Sequence, residues 1–192
     1  MQAIIIQGMT CLGKSTLCKQ IETDLPKCKT FSLDTYKENV WDIFGFDSVE
    51  QRDRLSAFAR ELFYCDINDV VKSSSYNYIL IEYTFTDKYW SELIYNMKNW
   101  NILIKTIYLK PFDLLVHKEI WNLRSRDFSV RHPGHGATHY HNGKGINYVN
   151  NYYDKIHINL PTTYETLEIG IDFNPYKRSV SYKTILDFIS NS

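Results

Sequence analysis

The chemistry of this 192-residue chain is concentrated in Gly8-Met9-Thr10-Cys11-Leu12-Gly13-Lys14-Ser15. Two glycines separated by four residues let backbone wrap closely around an anion, and successive N–H groups then point inward. A helix opening directly after them adds positive potential at its N-terminus. Lys14 is spaced to reach the β- and γ-phosphates of a nucleotide as a point charge, and the Ser15 hydroxyl to take a position on Mg²⁺. The stretch Gly8 to Thr16, with Met9, Thr10, Cys11 and Leu12 inside it, is therefore expected to bind ATP with Mg²⁺.

The elements around this loop can be read from apolar patterning. Ala3-Ile4-Ile5-Ile6 reads as a strand, and Leu17, Cys18, Ile21 and Leu25 recur at helical spacing until Pro26 ends the helix. Lys29 to Leu33 reads as a second strand that delivers Asp34 at its C-terminal end, the edge where α/β sheets bind ligands. Between Asp34 and Ser48 a loop is expected whose aromatic residues Tyr36, Trp41, Phe44 and Phe46 pack as core or cover a substrate. Ser48 to Lys72 reads as a long amphipathic helix with Ser48 and Gln51 placed as a capping box. Tyr78 to Ile81 is a third strand ending at Glu82, a carboxylate suited to orient Mg²⁺ or its water.

Further along, Thr86 is expected to cap a helix with Trp90, Leu93, Ile94 and Met97 on one face. A fourth strand follows over Ile102 to Leu109, then a helix after Pro111 with Val116, Ile120 and Leu123 inward. A short helix is expected within 147–155, a fifth strand over Thr166 to Ile171, a turn at Asp172 to Pro175 and a closing amphipathic helix over Val180 to Ile189. Strands alternating with helices imply one α/β domain over 1–192, a three-layer sandwich around a five-stranded parallel sheet.

Arg124, Arg126 and Arg131 precede Pro133 and Gly134, a composition that suggests a mobile lid over about residues 124–145. Guanidinium groups carried by a closing lid stabilise the charge of a transferring phosphoryl group and exclude water. His132, His135, His139 and His141 lie in the same stretch, with no cysteine or carboxylate among them at metal-site spacing. Substrate contact or loop polarity is the expected role of these histidines.

Twenty-two basic and 22 acidic residues leave no net charge, so no global field draws the chain to nucleic acid or an anionic membrane. A local groove from Lys105, Lys110, Lys118, Arg124, Arg126 and Arg131 is not excluded by that balance. No apolar run approaches a membrane span, and a cytosolic location is expected. Cys11, Cys18, Cys28 and Cys65 read as free thiols; Cys11 is expected as a small residue tolerated in the phosphate loop, a thiol of lowered pKa beside bound phosphate being the alternative.

In the order of phosphate loop, acid after the second strand, acid after the third, arginine-bearing lid and closing strand-turn-helix, the chain resembles the small P-loop kinases. Within them it looks most like the predicted-kinase group that includes the polynucleotide kinase domain, zeta toxin and related small-molecule phosphotransferases. That resemblance implies transfer of a phosphoryl group from Mg-ATP to a small hydroxyl-bearing molecule. It makes Asp34 the general base and Lys37 and Glu82 substrate contacts, with Lys14, Arg124 and Arg131 acting on the phosphoryl group. The polynucleotide kinases have arginine where Lys37 stands, and lysine lacks the planar bidentate phosphate contact. A 5′-hydroxyl polynucleotide kinase and an ATPase without acceptor are the alternatives. A GTPase is disfavoured, because Leu109-Lys110-Pro111-Phe112 stands where a guanine-reading motif is expected.

Overall fold

The computed structural model describes residues 1–84, 87–125, 127–129, 131–148, 164–173 and 176–191. Its centre is β1 (Gln2–Gly8), buried at every position. Alternation along a strand sends Ala3 and Ile5 to one face of the sheet and Ile4 and Ile6 to the other. On the first face they meet Phe63 and Ile67 of α3 (Val49–Ser73) and Leu93 and Met97 of α4 (Asp87–Asn99). On the second they meet Leu17 and Ile21 of α1 (Lys14–Asp24) and Ile185 and Ile189 of α6 (Tyr182–Ser190). Each fully buried Ile, Leu, Met or Phe side chain among them contributes roughly 1.5–3 kcal/mol relative to exposure, so a strand that is apolar on both sides specifies the central layer.

The remaining strands are β2 (Cys28–Ser32), β3 (Tyr78–Glu82), β4 (Leu103–Pro111), the short β5 (His139–His141) and β6 (Lys144–Ile146), β7 (Glu165–Phe173) and β8 (Tyr176–Arg178). The main sheet runs β2-β3-β1-β4-β7-β8. Its first five strands are parallel, as expected, and β8 adds an antiparallel sixth strand at the edge, pairing Ile171 with Arg178. Register aligns the strand ends. Ile6 and Ser32 both pair with Glu82, which brings the ends of β1, β2 and β3 to one line.

Two expectations fail here. The residues after Asp34 form no loop: α2 spans Leu33–Phe44, stopping at Gly45, whose φ of 63° is left-handed. Leu33, Val40 and Trp41 are its buried positions, a helical spacing that the high aromatic content obscured. Trp41 and Phe46 are core, packed with Ala137 and Tyr140, whereas Phe44 is exposed. The second failure concerns α5 (Leu114–Ser125). His117 and Trp121 are buried, while Val116 and Leu123 face solvent. Asp113 starts this helix by accepting the Leu115 and Val116 N–H groups at 2.7 and 3.2 Å, and His117 then fixes its rotation.

Smaller differences follow the same local rules. Ser48 caps α3 by accepting the Gln51 N–H at 3.1 Å, but the Gln51 side chain accepts from Asp47 rather than closing the box on Ser48. The alternative of a basic groove loses Lys105, which is buried and donates to the Phe188 carbonyl at 2.7 Å, and Lys110, which pairs with Glu168. Asp172 and Phe173, expected to begin a turn, end β7 instead; the rest of that turn at 174–175, the Thr86 cap, Arg126 and the helix expected within 147–155, from 149 onward, lie outside the described residues. Among the described residues no helix is long and apolar enough to cross a membrane.

Candidate active site

The phosphate-type loop is shaped by backbone that ordinary residues avoid. Cys11 and Gly13 have φ of 67° and 79°, left-handed values that turn neighbouring N–H groups toward one concavity. At Gly8 the strand presses so close to β4 that a Cβ would fall 2.4 Å from the Leu109 carbonyl oxygen, so only glycine fits. The N-terminus of α1 has no side-chain cap and no acidic residue in its first turn, which leaves its N–H groups to an anion.

Lys14 is 6% exposed, and its ammonium donates to the carbonyls of Gly8 at 3.0 Å and Met9 at 2.8 Å and to Thr84 Oγ1 at 3.2 Å. Burial pulls its pKa below the ordinary value, with Glu82 the foremost group opposing the fall. The Ser15 hydroxyl donates to Glu82 Oε1 at 3.2 Å, and Glu82 is buried at the end of β3. A hydroxyl and a carboxylate, both hard oxygen donors beside an anion-binding loop, fit Mg²⁺ shared with phosphate and water. Among the described residues no three His, Cys, Asp or Glu side chains form a metal cluster.

Asp34 sits in the first turn of α2, two residues past the end of β2. Lys37 Nζ lies 3.6 Å from Asp34 Oδ1 and 4.2 Å from the centre of the Tyr83 ring, and it donates to the Tyr83 hydroxyl. Burial pushes the Asp34 carboxyl up, but Lys37, His135 and Lys14 outweigh it and hold the group below its usual range. Lys37 is thus a partner of the acid.

A cavity of about 300 Å³ joins these groups. Lys14, Ser15, Asp34 and Glu82 line it together with Arg124, Arg131, Glu38 and His135. The two arginines expected from the lid therefore reach the same space as the loop. Cys11 lines it as well, and the alternative of a lowered pKa is not the one found. Burial raises the thiol, against the opposing pull of Arg124, Lys14 and Arg131. A second cavity of about 550 Å³ shares Ser15, Ser32, Thr35 and Glu82 but is lined otherwise by α1, β2, α2 and Asp66 of α3.

The segment expected as a lid is stitched onto α2. Tyr140 and Phe46 exchange backbone hydrogen bonds of 2.7 and 2.8 Å. His132, His135 and His141 each place Nε2 against one carboxylate, Asp42 at 3.0 Å, Glu38 at 2.8 Å and Asp47 at 2.7 Å. Of the histidines expected as loop polarity or substrate contacts, His132 and His135 are thus rungs to the helix bearing Asp34, and His141 is a third rung to Asp47 just beyond that helix. The His139 ring lies 2.8 Å from the hydroxyl of its neighbour Thr138.

Four residues were not singled out from the sequence. Tyr83 and Thr84 directly follow Glu82, and strand-end position was their available signal. Glu38 stands four residues after Asp34 and becomes visible once the segment is read as a helix. His117 carried no signal, since a lone histidine amid apolar residues has no distinctive spacing.

These elements define a P-loop type of α/β fold. No family model matches the chain, and no curated protein does. Solved structures do. A protein provisionally designated a kinase, from Chloroflexus aurantiacus j-10-fl, is similar over 98% of this chain and 96% of its own, with a TM-score of 0.72 at 19% identity. The protein APE1195 is similar over 98% and 92%, with a TM-score of 0.55 at 10% identity. At these identities the likeness concerns the fold.

Proposed function

We propose that this chain is an ATP-dependent kinase that transfers the γ-phosphoryl group to a hydroxyl of a small molecule. The observation that carries the reading is the single cavity lined by Lys14, Ser15, Asp34, Glu82, Arg124 and Arg131. The kinase designation of the Chloroflexus protein supports it.

In this reading the loop N–H groups and Lys14 hold the phosphates, and Ser15 with Glu82 holds Mg²⁺. Mg²⁺ neutralises charge on the phosphate oxygens when bound. Asp34 accepts the proton of the acceptor hydroxyl as the new bond from that oxygen to the γ-phosphorus forms. The bond from that phosphorus to the β-bridging oxygen breaks, and ADP leaves. Arg124 and Arg131 stabilise the charge spread over the transferring group. Lys37 keeps Asp34 ionised and is a positioning residue.

The test is incubation with Mg²⁺ and γ-labelled ATP in buffer, in a metabolite extract and with 5′-hydroxyl oligonucleotides. Label in a small metabolite is the expected result. Label on the oligonucleotide would make the chain a polynucleotide kinase despite Lys37, and inorganic phosphate alone, equal in all three mixtures, would leave an ATPase.

A further inference from the structure

The cavity's cations lie on the loop side, together with Glu82, and its other two carboxylates lie on the α2 side. Lys14, Arg124 and Arg131 are all electrostatic neighbours of Cys11, so the cations gather at the loop. On the α2 side stand Asp34 and Glu38, with His135 completing the wall. Residues four apart on a helix share a face, with Cβ atoms roughly 5–6 Å apart, so the two carboxylates form an adjacent pair. His135 Nε2 lies 2.8 Å from Glu38 Oε1, and His135 is close enough to Asp34 to influence it. Lys37, the remaining cation near Asp34, is turned to Tyr83 and is absent from the cavity lining.

A hydroxyl approaching Asp34 through this cavity passes the Glu38–His135 pair. The second cavity offers no alternative, because Asp34 does not line it. Carboxylates accept hydrogen bonds and repel anions, and a phosphate or carboxylate on the acceptor would be set beside two like charges.

Resting on the kinase reading above, we propose that the acceptor is a small uncharged polyol. One hydroxyl meets Asp34 and reacts, and a neighbouring hydroxyl is held by Glu38 with His135. Glu38 is then a specificity-determining residue. Its other oxygen accepts a hydrogen bond from the second hydroxyl, and His135 orients that carboxylate.

The test separates a metabolite extract by anion exchange and offers the retained and unretained pools separately to the protein with Mg²⁺ and γ-labelled ATP. Label is expected on an acceptor from the unretained pool, and prior treatment of that pool with periodate, which breaks the carbon–carbon bond between neighbouring hydroxyl-bearing carbons, is expected to abolish it. With that acceptor, Glu38→Gln and His135→Asn should each raise KM for the acceptor about tenfold while KM for ATP stays within about twofold. Label confined to the retained pool, or labelling that survives periodate, or an unchanged acceptor KM in Glu38→Gln, overturns the proposal and leaves the kinase reading standing. Absence of transfer to either pool removes the kinase reading and the proposal with it.

Discussion

His117 Nε2 lies 2.7 Å from the carbonyl oxygen of Thr10, a bond that ties helix α5 to the middle of the phosphate loop. A carbonyl only accepts, so Nε2 carries the proton. The ring is fully buried and stacked on Phe173 at 5.8 Å and 25°. Arg124 stands two helical turns further along α5, and so the loop and this arginine share one mount.

Replacing that tether should cost both stability and nucleotide affinity. His117→Ala removes a buried hydrogen bond and leaves a void against Phe173, an expected loss of about 2–3 kcal/mol in thermal or urea unfolding. ATP affinity should fall as well, since the Thr10 carbonyl no longer fixes the loop. Unchanged ATP titration in a folded variant would show that the loop holds its shape without α5.

The same residue gives the protein an acid-sensitive window. Burial, foremost, holds the His117 pKa below its ordinary value of 6.5, opposed by the bond to Thr10 and helped by Lys14. A depressed pKa means that protonation favours the unfolded chain. The stabilising contribution is complete above about 6.5 and declines as pH falls through and below that value. His117→Gln should flatten the pH dependence of unfolding between about pH 6.5 and 5, and an identical slope in both proteins would assign the loss to other groups.

Asp34 is held ionised by Lys37 first, then His135 and Lys14, against the opposing effect of burial. As a base it should work down to pH values under its ordinary 3.8, and Lys37→Met should move the acid limb of the kcat/KM profile upward. Asp34→Asn should abolish transfer, by roughly 10²-fold or more, while ATP binding persists. Full transfer in Asp34→Asn would remove Asp34 from the mechanism.

How much of this was legible depended on whether the signal was local. The loop, the parallel strands and the positions of Asp34 and Glu82 all follow from contiguous patterns, because alternation and glycine spacing are imposed by backbone geometry. The rungs from His132, His135 and His141 to Asp42, Glu38 and Asp47 join residues more than 90 positions apart in two cases and 90 in the third, and no periodicity records such a pairing. Helix α2 was hidden by its own aromatics, which resemble a substrate-covering loop until Gly45 is seen as its stop. In α5 Leu114, Leu115, Val116 and Leu123 face solvent while Trp121 is buried, because the helix is turned by a polar contact from His117.

Those rungs make the attachment of the 132–141 segment testable. The Tyr140 hydroxyl donates to Asp42 and lies 3.2 Å from His132 Nε2, while the ring is buried against Trp41 and Phe46. Tyr140→Phe keeps the packing and removes the hydroxyl, with an expected cost of about 1–2 kcal/mol. Amide exchange at Phe46 and Tyr140, which bond one another, should quicken before global unfolding does. Exchange unchanged at both would mean that the apolar cluster alone holds the segment.

Ser15 and Glu82 bear on the metal. Their 3.2 Å contact sets a hydroxyl and a carboxylate side by side, the two oxygen donors that would hold Mg²⁺ in the proposed reading. Ser15→Ala removes one oxygen donor and should raise the Mg²⁺ concentration for half-maximal transfer about tenfold, with the maximal rate largely recovered at saturating metal. Glu82→Gln keeps the shape but loses the charge, and it also unbalances Lys14, whose depressed pKa Glu82 opposes first. It should therefore raise the metal requirement and weaken ATP binding together, whereas Ser15→Ala leaves ATP binding without metal unaltered. The double variant should show less than the product of the two single effects, since both act through one ion. Independent multiplication of the effects would place Ser15 and Glu82 in separate roles.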